Sequence, residues 1–291
     1  MQPVIPVAVR LEAGGGRVAD LPDDFAAPLY FANRSTVETK RLRTVGGRTE
    51  FERDRQMKIL RWLSDRERPG RPRVLLIGDS IRMRQADTTG YGLHAYRALV
   101  NDYNLSHISH NTENSGLVRE LIDDWLQCAP DVVHYNAGLH DLSRHPRTDV
   151  LPPWHHPVDR YQDNLRFVIG RMREHGVRTI VWASSTPVHD GWHDVDVRTG
   201  RPRGVRRKNA DVIRYNAAAA EVMAAEGVPI NDLYARVMNE GVERCLVPDG
   251  VHLSHHGSAV LGAQVAETIT RLHPPRPEHA ATPGKHDGST T

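Results

Sequence analysis

The sequence predicts an α/β fold in which helices cover both faces of a parallel sheet. Short apolar runs, typical of buried parallel strands, alternate along the chain with amphipathic segments of a dozen or more residues. Such alternation favours a parallel sheet over separate blocks of strands and helices. The 291 residues show no internal repeat, and 39% of them are hydrophobic, which suffices for one sizeable core.

The predicted elements follow one another from residue 73 onward. Strands are expected at residues 73–77, 105–109, 131–135, 178–183 and 228–230. Helices are expected at 91–103, from 115 to before Pro130, and at 158–174, 209–225, 233–239 and 257–272. Asn114 is a candidate cap for the second of these helices, and His175-Gly176 is a stop signal for the third.

Three regions are expected along the chain. Residues 1–70 are predicted to be an N-terminal extension with one amphipathic helix. The capping box that begins at Thr49 opens this helix, which then carries Ile59, Leu60, Trp62 and Leu63. Residues 71–273 form the predicted globular domain. Residues 274–291 are rich in proline and small polar residues, so we expect a disordered tail.

Composition excludes several classes of function. The formal charge of +2 argues against a general electrostatic role in nucleic-acid binding. No apolar stretch approaches the ~20 residues of a membrane span. Two cysteines cannot form a disulfide framework, and the N-terminus lacks the pattern of a signal peptide. These features predict a cytoplasmic protein that binds neither nucleic acid nor membrane.

The residues that indicate chemistry lie at predicted strand ends and in loops, where open α/β sheets form their sites. Ser80 follows the first strand in the run Gly-Asp-Ser. Asp249 and His252 lie three residues apart before the last helix. An alcohol hydroxyl becomes a good nucleophile when an adjacent imidazole takes its proton, and a carboxylate orients that imidazole. The pattern therefore predicts a serine hydrolase.

These motifs, in this order, resemble those of the SGNH, or GDSL-like, hydrolase family over roughly residues 73–273. The resemblance implies a flavodoxin-like three-layer α/β/α fold and an esterase, lipase, thioesterase or carbohydrate deacetylase. It implies that Ser80 is the nucleophile, His252 the general base and Asp249 its partner. Gly116 matches the glycine of the family's second block.

The third family block, normally Gly-x-Asn-Asp, departs from the pattern here. It contains Gly138, Leu139, His140 and Asp141, which places His140 where the family has asparagine. A histidine N–H can still donate to an oxyanion. The expected donors are therefore the N–H groups of Ser80 and Gly116 and the side chain of His140, with Asn136 as an alternative donor. Asp141 is expected to have a structural role.

Two further segments allow more than one interpretation. His189 and His193 have the types and spacing of zinc ligands, but a substrate-facing loop is the favoured interpretation and no metal is expected. The basic residues between 198 and 208, which include Arg206 and Arg207, fit a solvated loop. The same residues could form a lid that meets a phosphate or carboxylate of the substrate.

We therefore expect a serine ester hydrolase that acts through an acyl-Ser80 intermediate, without a cofactor, on a small O-acylated sugar or natural product. One alternative is an acyltransferase that uses the same three residues. Another is a catalytically inactive binding module with the same fold. A small-molecule acyl ester is the expected partner, and no oligomeric state is predicted.

Overall fold

The computed structural model describes residues 69–83, 90–108, 111–144, 155–194, 200 and 206–275, together with three short upstream strands. The strands are β1 (Thr44–Val45), β2 (Arg48–Thr49), β3 (Ile59–Arg61), β4 (Arg73–Ile77), β5 (Asn104–Ile108), β6 (Val132–Asn136), β7 (Thr179–Ala183) and β8 (Ile230–Asn231). The helices are α1 (Tyr91–Leu99), α2 (Ser115–Trp125), α3 (Val158–Glu174), α4 (Asp190–His193), α5 (Asn209–Glu226), α6 (Leu233–Glu240), α7 (Val242–Cys245) and α8 (His255–Leu272).

The main sheet has the strand order β3-β5-β4-β6-β7-β8. Five neighbouring strands pair in parallel, as the sequence predicts, in the order β5, β4, β6, β7 and β8. The remaining strand, β3, adds an antiparallel edge. In the central strand β6 every residue is buried, and in β4 only Arg73 is exposed. This burial on both faces explains why these strands are nearly continuous apolar runs.

Helices form a layer on each face of the sheet. From β4 the chain passes through α1 to β5, which lies on one side of β4. The next strands, β6, β7 and β8, are added on the other side of β4 and are reached through α2, α3 and α5, so the order of strand addition reverses. Because such crossovers are right-handed, the reversal places α1 on the face opposite the other three helices. Accordingly α8 packs on α1, whereas α3 packs on both α2 and α5. This is the predicted flavodoxin-like three-layer α/β/α architecture.

The strand order locates the candidate site. The order in which strands are added to the sheet reverses between the neighbouring parallel strands β4 and β6, and the crevice at their carboxyl ends is where open α/β sheets bind ligands. Ser80 follows β4, and the loop with His140 follows β6. None of the helices within the described ranges has the length and apolar character needed to span a membrane.

The predicted helix of the N-terminal extension is wrong at the positions that the structure describes. Thr49 lies in β2, and Ile59–Arg61 is β3, paired with β5 in the register Ile59 to Ile108. The apolar pair Ile59-Leu60 thus extends the sheet edge, a tertiary contact that overrides the local helix pattern. Residues 62–68 of the predicted helix lie outside the described residues, as do residues 276–291 of the predicted tail. The boundary at residue 70 remains a prediction.

Candidate active site

The turn after β4 presents Ser80 at the carboxyl edge of the sheet. Asp79 accepts hydrogen bonds from Ile81 N–H through Oδ1 (2.9 Å) and from Arg82 N–H through its backbone carbonyl (3.2 Å). Asp79 is completely buried, and this burial raises the pKa of its carboxyl group. Ser80 itself is only 7% exposed, so its hydroxyl lies in a recess.

Ser80, His252 and Asp249 are joined by two side-chain hydrogen bonds. The distance from His252 Nε2 to Ser80 Oγ is 2.9 Å, and that from His252 Nδ1 to Asp249 Oδ2 is 2.5 Å. A carboxylate cannot donate, so Nδ1 carries the proton of the neutral ring and Nε2 is left to accept from the hydroxyl. Although burial raises the pKa of Asp249, the hydrogen bond and charge of His252 lower it to about 2. Asp249 is therefore a carboxylate at neutral pH.

A tight turn fixes the geometry of Asp249 and His252. Asp249 Oδ1 accepts hydrogen bonds from the N–H groups of Val251 and His252, both at 2.8 Å. Gly250 has a φ of +73°, and a Cβ at this position would lie 2.7 Å from the carbonyl oxygen of His189. The turn thus requires glycine, for its backbone conformation and for its close approach to the neighbouring segment.

That neighbouring segment is α4, which supports the turn from outside. His189 N–H donates to the Gly250 carbonyl (2.8 Å), and His193 Nδ1 lies 3.2 Å from the Asp249 carbonyl oxygen. His193 is buried, and the His189 ring stacks on Trp192 with centroids 4.3 Å apart. These contacts give the segment a structural role beside the turn, while the expectation that it also faces the substrate remains a prediction. In the described ranges, no three His, Cys, Asp or Glu side chains gather as at a metal site.

Gly116 lies at the second position of α2, where a backbone N–H has no acceptor within the helix. The N–H groups on either side are taken by side chains. Ser115 N–H donates to the Asp141 carboxylate (3.0 and 3.1 Å), and Leu117 N–H donates to Asn114 Oδ1 (3.0 Å). The helix terminus therefore offers the N–H of Gly116 to a bound oxygen.

The His156 ring covers this glycine. A Cβ added to Gly116 would lie 2.1 Å from His156 Nε2 and 2.8 Å from Cε1. Burial is the main cause of a lowered pKa of His156, and the nearby charges of Arg160 and His155 lower this pKa further. A neutral imidazole thus lies against the candidate donor, a contact with no signal in the sequence.

The side chains of Asp141 and Asn136 join neighbouring segments of the structure by hydrogen bonds. Asp141 also accepts a hydrogen bond from Ser115 Oγ at 2.5 Å, and burial raises its pKa to about 7. Asn136 uses its amide on the neighbouring strand, with Nδ2 3.0 Å from the Ala183 carbonyl oxygen and 3.4 Å from that of Ser184. The structure thus argues against Asn136 as an alternative oxyanion donor, because its amide ties β6 to the end of β7.

The sequence matches the profile of the GDSL-like lipase/acylhydrolase family over residues 76–260. This match covers more than half of the chain and spans Ser80, Gly116, Asp249 and His252. The chain belongs to the GDSL-like lipase/acylhydrolase family. It is a carboxylic ester hydrolase of that family, as the sequence predicts. A comparison with curated proteins found no match to this sequence.

Solved structures of such enzymes share the fold. A lipase/acylhydrolase from Enterococcus faecalis is 23% identical, with a TM-score of 0.53 over 71% of this chain and 100% of that chain. The acetyl xylan esterase AlAXEase is 16% identical, with a TM-score of 0.50 over 68% of this chain and 99% of that chain. At these identities the similarity concerns the fold.

His140, the departure from the family pattern, lies in the loop after β6. Asn111 Oδ1 accepts a hydrogen bond from Glu113 N–H (2.8 Å), which turns Asn111 Nδ2 toward His140 Nε2 at 3.4 Å. With Nδ2 as the donor, Nε2 accepts and the proton of the neutral ring lies on Nδ1. Burial, aided by the charges of Arg207, His155 and His252, holds the pKa of His140 well below its usual value. His140 is therefore neutral at neutral pH.

Arg82 is a buried cation that the sequence analysis missed. Its Nε donates to the Gly78 carbonyl (3.2 Å) and its Nη2 to the Ile108 carbonyl (2.7 Å), so one guanidinium ties the ends of β4 and β5 together. The side chain is fully buried two residues after Ser80. An arginine at the end of a buried strand gave no sequence signal for this role, because most arginines are exposed.

Proposed function

We propose that this GDSL-like enzyme hydrolyses a small O-acylated molecule through an acyl-Ser80 intermediate. One observation carries the proposal: the hydroxyl of Ser80 lies 2.9 Å from His252 Nε2 while the other ring nitrogen lies 2.5 Å from Asp249. This is the arrangement in which a base can take the serine proton as the hydroxyl attacks. It favours an active enzyme over an inactive binding module.

The proposed reaction has two halves. Ser80 Oγ attacks the ester carbonyl carbon while His252 Nε2 takes the hydroxyl proton. The carboxylate of Asp249 stabilises the imidazolium that forms. His252 then returns the proton to the leaving alcohol as the ester C–O bond breaks. In the second half, His252 takes a proton from water, the resulting hydroxide attacks the acyl group, and the proton returns to Ser80 as the acid leaves.

Three donors are proposed for the tetrahedral oxyanion. The backbone N–H groups of Ser80 and Gly116 come from the two segments that meet at the crevice. His140 supplies the third donor through Nδ1–H, because Asn111 lies on its Nε2 side. A neutral imidazole suits this role, since its charge does not change over the pH range in which the base works.

The recessed site supports a small acyl group. Ser80 is 7% exposed, and His156 covers the backbone next to Gly116. We propose acetyl as the acyl group and a sugar or natural-product alcohol as the leaving group. An acetyl xylan esterase is among the proteins with this fold, so acetylated sugars are the first substrates to test. The cytoplasmic location expected from the sequence remains a prediction.

The decisive experiment combines two variants with two readouts. Ser80→Ala should abolish both ester turnover and labelling by a fluorophosphonate probe. Asp249→Asn should keep a small residual turnover, because removing the orienting acid costs less than removing the nucleophile. On p-nitrophenyl esters of increasing chain length, kcat/KM should fall beyond acetate. Undiminished labelling of Ser80→Ala would refute Ser80 as the nucleophile.

A further inference from the structure

A groove of about 720 Å³ lies beside α4, and its volume is within the range of about 300–1,000 Å³ typical of small-molecule sites. It is lined by residues 187–191, by Asn209, and by Met238 and residues 241–244 at the junction of α6 and α7. The first of these segments follows the end of β7, α5 leads from Asn209 into the start of β8, and α6 follows the end of β8. The groove therefore lies at the carboxyl edge of the parallel sheet, the same edge as Ser80.

The segment from His189 to His193 joins this groove to the catalytic turn. His189 and Asp190 line the groove, while the His189 N–H donates to the Gly250 carbonyl at 2.8 Å. A Cβ at Gly250 would lie only 2.8 Å from the backbone nitrogen of His193. Since Gly250 comes two positions before His252, a ligand in the groove lies next to the segment that packs on the turn of the catalytic base.

Part of the groove lining is apolar. Pro187 and Val188 are buried, and Val242 packs against the core. Met238, by contrast, is 47% exposed, one of few large apolar side chains with such exposure in the described part of the chain. A ligand that carries C–H groups would cover this side chain and gain from its removal from water.

The polar groups of the lining include unused acceptors and a donor. Asp190 accepts the Asn209 N–H through Oδ1 at 2.8 Å, which leaves Oδ2, and Glu243 has no hydrogen-bond or ion-pair partner among the described residues. His189 Nδ1 accepts the Trp192 N–H at 3.2 Å. The proton of the neutral His189 ring is therefore on Nε2, where it can be donated to a ligand.

These groups together favour a neutral ligand rich in hydroxyls. Arg244 lines the groove but pairs with Glu240 at 3.3 Å, and the carboxylates of Asp190 and Glu243 would repel an anion. A sugar ring has faces of C–H groups and a rim of hydroxyls, and hydroxyls donate strong hydrogen bonds to carboxylates. The groove thus suits a sugar ring better than a phosphate or an acyl chain.

We propose that this groove binds a neutral sugar ring in the alcohol part of the ester substrate, one or more sugars away from the acylated unit. The proposal rests on the proposed function, because the sugar is bound as part of an ester that Ser80 attacks. It names the substrate class as acetylated oligosaccharides. It also gives the segment from His189 to His193 a substrate contact in addition to its contacts with the catalytic turn.

Binding of unacetylated sugars tests the groove without turnover. Xylotriose, cellotriose and mannotriose, three neutral β-1,4-linked trisaccharides, are titrated into the wild type by calorimetry. At least one should bind, and Glu243→Ala should raise its Kd about tenfold, because a hydrogen bond to a charged acceptor is lost. Glu267→Ala removes an exposed carboxylate of α8 and is the matched control, so its Kd should equal that of the wild type.

A second variant fills the groove instead of removing a polar group. A Cβ at Gly191 would lie 3.7 Å from the nearest atom of the His189 ring, so a side chain fits there without a clash. Gly191→Leu should abolish sugar binding by occupying the space, while its melting temperature shows whether the fold is intact. If the wild type binds none of the three sugars, or if Glu243→Ala and a folded Gly191→Leu both bind as the wild type does, the sugar site is refuted.

Turnover then tests whether the bound sugar belongs to the substrate. The monoacetylated form of the bound trisaccharide is compared with 4-nitrophenyl acetate. In Glu243→Ala the KM for the acetylated trisaccharide, relative to that for 4-nitrophenyl acetate, should rise about tenfold. An unchanged ratio refutes the role in the substrate. Fluorophosphonate labelling of Ser80 is measured in parallel. A labelled, active Ser80 without sugar binding refutes the sugar site alone, whereas sugar binding with an unlabelled, inactive Ser80 refutes the proposed function.

Discussion

The carboxylate of Asp141 holds Ser115 by two groups at once, the backbone N–H at 3.0 Å and the hydroxyl at 2.5 Å. All of these atoms belong to buried residues. Asn164 Nδ2 adds a third hydrogen bond, to Ser115 Oγ, at 3.0 Å. This cluster fixes the first turn of α2 and with it the direction of the Gly116 N–H. The loop after β6 therefore positions the proposed oxyanion donor Gly116, which belongs to a different segment.

Asp141→Ala should accordingly lower both stability and turnover. It leaves the buried N–H and hydroxyl of Ser115 without their acceptor, which costs about 1–3 kcal/mol for each unsatisfied group. Asp141→Asn keeps one acceptor oxygen and should lose less on both counts. Urea unfolding and kcat of the two variants measure this directly. An Asp141→Ala variant with wild-type kcat would show that the cluster does not direct the Gly116 N–H.

Gly116→Ala should displace His156. The added Cβ would lie 2.1 Å from His156 Nε2, so the ring must move out of its position over the donor. We expect kcat to fall about tenfold or more, since one backbone donor is then misaligned. In Gly116→Ala combined with His156→Ala the clash with the ring is absent. The remaining close approach, 3.2 Å to Asn114 Oδ1, needs a shift of only a few tenths of an ångström, so kcat should return to that of His156→Ala alone. If the double variant is as slow as Gly116→Ala, the loss of kcat comes from a changed backbone conformation at position 116, and the steric explanation is wrong.

The two substitutions His140→Asn and His140→Ala should have opposite outcomes if His140 donates to the oxyanion. An asparagine amide can make the same hydrogen bond, so His140→Asn should keep much of the activity. His140→Ala should lose about a hundredfold in kcat with little change in KM, because the donor acts chiefly in the transition state. Measurements of kcat and melting temperature on both variants test this. Equal losses of stability with normal turnover per folded molecule would make His140 structural.

His134 should make the enzyme less stable as the pH falls. This side chain of β6 is fully buried, its Nε2 lies 3.1 Å from Asn231 Nδ2, and burial lowers its pKa to about 3. Because the folded pKa lies below the unfolded value of about 6.5, the unfolded chain binds the extra proton between these values. The free energy of unfolding therefore decreases as the pH falls through this window.

The measurement is urea unfolding of the wild type and of His134→Gln from pH 8 to pH 4.5. Below about pH 6 the wild type should lose up to about 1.4 kcal/mol per pH unit more than the variant. Above pH 7.5 the difference between the two proteins should be constant, which serves as the internal control. Parallel curves over the whole range would mean that His134 is not the group that takes up the proton.

The sequence was a good guide to the parallel sheet because its central strands are buried on both faces. The uninterrupted run before Gly78 and the stripe of the predicted helix at 158–174 both correspond to elements of the structure. Ser80, Asp249 and His252 were predicted to meet, and the structure places them within hydrogen-bond distance. That prediction depended on the order of the motifs and on their positions at strand ends, and local secondary-structure propensity did not contribute to it.

What the sequence could not predict depends on tertiary contacts. The helix pattern at Ile59 gave way to β3 because the sheet edge offered a pairing partner. Asn136 has the side chain of a donor, yet only the neighbouring strand end shows that its amide is already used. His156 over Gly116 and Arg207 on Leu139 join loops that are distant in sequence, so no spacing rule reveals them.

The turn from Asp249 to His252 is internally bonded and leads at once into α8, whose first turn Ser254 caps. Acid and base thus form a local unit, whereas Ser80 lies 172 positions away in the chain. The hydroxyl and the imidazole meet only when the C-terminal segment docks against the end of β4. Esterase activity therefore reports whether the tertiary structure has assembled. Conditions that loosen the packing of α8 on α1 should abolish ester turnover before the sheet unfolds.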